Sequence, residues 1–147
     1  MSSSSNDTVY LDERWLLMRW DSEHKCLLAE WKGFATSAEF RGALLKAIDV
    51  IRDRNGAGFV TDTRKLELVS DDDQRWLMST WPPLAIAAGL KRLAIVLAKT
   101  GLSKMAVEDM IKAGAAQAER EPAAGDPAFQ SRTFESVAEA VQWVTAS

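Results

Sequence analysis

The stretch Gly58-Phe59-Val60-Thr61-Asp62-Thr63-Arg64 constrains the fold more than any other. An apolar, β-branched run enters it, polar residues and an arginine leave it, and a helix start follows at Ser70. That order marks a buried strand whose C-terminal end opens into a loop. Lys91-Arg92-Leu93-Ala94-Ile95-Val96-Leu97-Ala98 adds a continuous apolar run, the pattern of a strand covered on both faces. Two such strands separated by a helix are expected to run parallel, joined by a right-handed crossover.

The helices announce themselves by their caps. Thr36-x-x-Glu39 is a capping box, and Phe40, Leu44, Ala47, Ile48 and Ile51 form one apolar stripe behind it. The spacing predicts a helix from Thr36 to Arg54, stopped by Asn55-Gly56. Ser70 caps a second helix whose first turn holds Asp71, Asp72 and Asp73, acids that complement the helix dipole. This helix carries Trp76, Leu77 and Trp81 and breaks at Pro82-Pro83. Leu84 to Ala88 is a short helical piece before Gly89. Ser103 caps a helix to about Ala118, and Ser136-x-x-Glu139 caps the last one.

Before the first helix, two apolar runs flank Ser22-Glu23-His24, the signature of a β-hairpin. Val9 to Leu11 is a marginal edge strand, and Arg132-Thr133-Phe134 a short late one. The order β-β-β-α-β-α-β-α-β-α predicts an α/β fold. Its single mixed sheet has about five strands, an N-terminal β-hairpin followed by alternating β-α units, and about four flanking helices. Residues 1–8 read as a disordered leader, and residues 9–147 as one domain.

Composition removes whole classes of function. A net charge of −3 without clustered Lys/Arg gives no nucleic-acid footprint. No stretch approaches the ~20 apolar residues needed for a membrane span. The N-terminus lacks the basic start and apolar core of a signal peptide, so a cytoplasmic location is expected. Cys26 is the only cysteine and reads as a small buried hydrophobe. Six tryptophans against one tyrosine are the anomaly, because each Trp must be packed and its N–H satisfied.

Several short motifs carry a resemblance through their order and spacing. They are Trp31-Lys32-Gly33, Glu39-Phe40-Arg41, Asp62-Thr63-Arg64-Lys65-Leu66, Asp73-Gln74-x-Trp76 with Trp81-Pro82, Gly89-Leu90-Lys91-Arg92-Leu93-Ala94, and Phe134 with Ala140 and Trp143. Together, over nearly the whole chain, they resemble the SpoIIAA-like, STAS-like bacterial domains, which share features with CRAL-TRIO-type lipid-binding domains. The resemblance implies a small cytoplasmic α/β domain, often dimeric and mostly without assigned activity. The better-understood members bind a partner kinase and are themselves switched by phosphorylation of a serine in an Asp-Ser-Ser/Thr-Gly motif, at the start of the helix after the central strand. This chain departs there, with Ser70-Asp71-Asp72-Asp73. Three acids would repel a phosphoserine, so Ser70 reads better as a helix cap.

Candidate chemistry is sparse. His24, the only histidine, sits in the hairpin turn, where no relay can be built on it. One His and one Cys cannot assemble the usual zinc sets. Asp71 to Asp73 point in different directions on a helix, so capping explains them better than a cation. Neither Gly56-Ala57-Gly58 nor Gly101-Leu102-Ser103 matches a phosphate-binding fingerprint, although the amides near Ser103 would suit an anion. Asp62 and Arg64 at a strand end either pair, with each other or with the loop around Ser70, or rim a small site with Lys99-Thr100. Trp76 and Trp81, taken as one helix, suggest either core packing or a dimer or partner surface.

The candidate ligand- or partner-binding residues are therefore Asp62, Arg64, Ser70, Trp76 and Trp81. No residues are expected to serve catalysis, a metal or a cofactor. The leading expectation is a non-enzymatic regulatory or protein-interaction domain, a homodimer with a possible protein partner. The alternative is a small apolar or amphipathic ligand in a CRAL-TRIO-like pocket, lined by the Trp-bearing helix and Leu84 to Ala88 and capped by Arg64.

Overall fold

In the computed structural model, which describes residues 8–67, 69–98, 108 and 129–146, one sheet carries the molecule. Its strands are β1 (Thr8–Glu13), β2 (Leu16–Asp21), β3 (Cys26–Trp31), β4 (Gly58–Asp62), β5 (Arg92–Val96) and β6 (Gln130–Phe134), in that spatial order. The pairs β1–β2 and β2–β3 are antiparallel. From β3 to β6 every pair is parallel. The mixed α/β sheet expected from the sequence is thus present, with six strands. The marginal segment at Val9 proves to be a full strand that starts at Thr8, one residue inside the expected leader. Arg54 ties it down, donating from Nε to Tyr10 Oη at 2.9 Å and from Nη2 to Thr8 Oγ1 at 2.8 Å. The register of this edge shifts between Val9 and Leu11, an irregularity of the kind that hinders pairing with another sheet.

The described helices are α1 (Ser37–Arg54), α2 (Asp71–Ser79), α3 (Trp81–Ala88) and α4 (Val137–Val144). The Thr36 capping box forms as its spacing requires. Asn55 stops α1 in the left-handed conformation at φ 52°. Ser70 and Ser136 accept from the amides of Asp73 and Glu139. Of the expected helix from Ser103 to Ala118 only Glu108, which is helical, is described; its anion site, the Lys99-Thr100 rim and Leu68 lie outside the described residues.

Period-2 alternation divides the sheet into two faces. On one face Leu27, Ala29, Trp31 and Phe59 pack with Phe40, Leu44, Ile48 and Ile51 of α1 and with Trp81 and Ala85 of α3. On the other, Cys26, Leu28, Val60, Ala94 and Val96 meet Ala140, Val141 and Val144 of α4. Cys26 is fully buried. Arg92 closes the end of α4, donating to the carbonyls of Trp143 and Ala146 at 2.7 and 2.8 Å while its guanidinium lies over the Trp143 ring. A cation there also complements the helix dipole.

Gly58 lets α4 approach β4. A Cβ at that position would lie 2.9 Å from Val144 Cβ and 3.1 Å from its carbonyl oxygen. Gly58→Ala should therefore lower stability by about 1–2 kcal/mol through overpacking. A thermal melt checks this, and an unchanged midpoint would mean that α4 yields freely.

Candidate functional site

Asp62 ends β4 and Arg64 follows two residues later. The arginine grips the carboxylate with both arms of its fork, Nε to Oδ1 at 2.9 Å and Nη2 to Oδ2 at 2.7 Å. Its own amide adds a bond to Oδ1 at 3.1 Å. Glu30 stands directly across from Asp62 on β3. The bond to Asp62, against the opposing effect of burial, and the charges of Asp62 and Glu30 raise the Arg64 pKa above its ordinary value. Beneath them lies a cleft of about 160 Å³ floored by Leu17, Leu28 and Val60 and edged by Arg19 and Val137. Thr63 turns inward, and its hydroxyl donates to the Val96 carbonyl at 2.8 Å.

A second polar node joins α1 to α2, and sequence reasoning passed over its centre. Asp73 is 4% exposed and is the only buried residue of α2. Ser37 Oγ donates to its Oδ1 at 2.6 Å, and Arg41 Nε donates to the same oxygen at 2.7 Å. Arg41 also lies over the Trp76 ring, 5.3 Å from its centroid. Burial alone would push the Asp73 carboxyl up. The bonds from Ser37, Arg41 and Ser70, with the Arg41 charge, outweigh it and hold the carboxyl below its ordinary value of 3.8. The signal was in the spacing: Asp73, Trp76, Leu77 and Thr80 share one helical stripe, whereas Asp71 and Asp72 are exposed.

The two tryptophans part company. The expectation of one helix carrying both is corrected: α2 ends at Ser79, and Trp81 begins α3. Prolines 82 and 83 fall in the first turn of α3, where their missing N–H groups cost nothing. Trp76 is half-buried. Trp81 is 2% exposed and sits in the core, with its indole N–H on the Leu44 carbonyl at 2.8 Å and its ring 6.0 Å from Phe59. Ser70 serves as the α2 cap. Arg64 opens onto the face that α4 covers, and Leu84 to Ala88 belong to the opposite layer. The structure does not bring them together around one pocket.

His24 lies at the far end of the sheet. Cys26, beside its turn, and Glu30, beside Asp62, are separated by roughly 13 Å of strand. Asp21, Glu23 and His24 do come within 4.8 Å of one another. Hydrogen bonding explains that closeness. Asp21 Oδ1 accepts from the amides of Glu23 and His24, and Oδ2 meets His24 Nδ1 at 2.9 Å.

No family model, no curated protein and no solved structure matches this chain. Among the described residues, no helix is long and apolar enough to cross a membrane.

Proposed function

We propose that the chain is a non-enzymatic interaction domain of SpoIIAA-like, STAS-like character, acting in the cytoplasm by contact with another protein chain. One observation carries this. The polar groups best placed for chemistry are engaged inside the fold: Asp62 by Arg64, Asp73 by Ser37 and Arg41, Ser70 by a helix end. Meanwhile Val9, Phe34, Leu45 and Leu84 stand 44–59% exposed. The parallel run from β3 to β6 supports the kinship. A small apolar ligand has less support, because the cleft beside Arg64 falls below the usual ~300 Å³.

The test is cross-linking in extract of the source cell, followed by calorimetry with the purified partner. Saturable binding at a fixed ratio is expected. A chain that binds no protein saturably, yet keeps a small molecule through native mass spectrometry, would reverse the choice between the two readings.

A further inference from the structure

Glu30 stands half-buried near the C-terminal end of β3. Among the described residues its carboxylate accepts no hydrogen bond and joins no ion pair. Across the sheet Leu17, Glu30 and Asp62 form one row, and Arg19, Leu28 and Val60 the next. Neighbours in a row are about 4.8 Å apart, so Glu30 is between Leu17 and the Asp62–Arg64 clamp. Arg64 has open capacity as well. A guanidinium has five N–H donors, and Asp62 takes one at Nε and one at Nη2. Nη1 meets no acceptor among the described residues, and the side chain is 46% exposed. An open acceptor and an open donor of opposite charge thus line one cleft with an apolar floor.

Going beyond the interaction-domain reading, we propose that this cleft binds a free aliphatic α-amino acid as its zwitterion. The ammonium donates to Glu30, the carboxylate accepts from Arg64 Nη1, and the side chain lies on Leu17, Leu28 and Val60. Charge selects this class. A bare amine meets the Arg64 cation, and a bare acid meets Glu30 and Asp62. A ligand carrying both signs pairs each of its charges. The lining charges balance, Arg19 and Arg64 against Glu30 and Asp62. Beside them Asp12 and Lys32 lie 4.0 Å apart and offset each other. Glu135 and Glu139, on either side of Val137, line a different cavity with Leu97 and Thr133. Size agrees too. The cleft holds about 160 Å³, and a cavity of about 150 Å³ takes benzene, a body of about six non-hydrogen atoms. A leucine side chain with its Cα fills such a space and leaves both charged groups at the wet rim.

Calorimetric titration with L-leucine, paired with amide shifts read by NMR on the full chain, tests this. Leucine should bind saturably, one molecule per chain, with shifts centred on Leu17, Leu28, Glu30 and Arg64. Leucine amide and N-acetyl-leucine each lack one charge and should bind at least ~10-fold more weakly. They also stand for the two ends of a peptide. Glycine leaves the floor uncovered and should bind at least ~10-fold more weakly as well. Glu30→Gln keeps the shape, loses the charge and should weaken leucine at least ~10-fold, with its melting midpoint level. Leu17→Trp, which fills the cleft from β2, should block binding even if Glu30→Gln fails to fold. Glu13→Gln, at an exposed carboxylate ending β1, should change nothing. No saturable uptake from millimolar leucine overturns the proposal. So does leucine amide or N-acetyl-leucine binding as well as leucine, undiminished binding by Glu30→Gln or Leu17→Trp, or shifts centred on the turn at Ser22 to Lys25. None of these results touches saturable binding of a different protein, so this site can fail while the interaction-domain reading stands.

Discussion

Trp81→Ala should cost about 4 kcal/mol of folding stability, the range for a large aromatic truncated in a core. Three contributions converge on that side chain. It is 2% exposed, it fills space against Phe59, and it satisfies its N–H on Leu44. For a chain of 147 residues the midpoint should fall by roughly 12 °C. Trp81→Phe keeps most of the apolar burial and loses the hydrogen bond, so it should cost about 1 kcal/mol net. Urea unfolding monitored by circular dichroism reads both, and the slope should stay constant if only stability changes. A loss below about 1 kcal/mol for Trp81→Ala would remove Trp81 from the core. It would also reopen the possibility that this residue faces a partner.

Core packing was one of two outcomes the sequence permitted for Trp81, and nothing local chose between them. Its hydrogen-bond acceptor lies 37 residues away on another helix, and nothing local reports that distance. The caps were legible, because Thr36 with Glu39, and Ser70 with Asp73, close their bonds within one turn. The central strands were legible for a related reason. Val60 and Val96 lie in continuous apolar runs, and such runs fit a sheet layered on both sides. β1 was faint because it is an edge with mixed polarity, held partly by Arg54 from a distant helix end. The Asp62–Arg64 clamp is local, and pairing was one of two outcomes its spacing permitted. Asp73 was readable in principle, by helical period. Preceded by two like acids, it is indistinguishable from them by dipole complementarity alone.

That node yields the second large effect. α2 buries one residue, and it is a carboxylate. Its docking onto α1 therefore depends on hydrogen bonds and charge more than on apolar area. Asp73→Asn should cost about 2 kcal/mol at neutral pH. That is within the range for hydrogen bonds to a charged group, and it is taken low in that range because Arg41 is over a third exposed and partly screened. The pH dependence has a definite sign. The folded carboxyl titrates below its ordinary 3.8, so its stabilisation is fully present above that value. It is lost as the pH falls through the depressed pKa. Asp21 is also held low, its burial outweighed by bonds from His24 and Glu23, so wild type and variant share that background slope. Their difference isolates Asp73. Urea midpoints should differ clearly at pH 7 and converge below pH 3.8. Amide exchange in Asp71–Ser79 should quicken in the variant before exchange in α1 does. A gap that stays constant down to strongly acid pH would mean that the Asp73 charge does not hold α2 in place. The half-buried Trp76 and Leu77 would then have to dock that helix by packing alone.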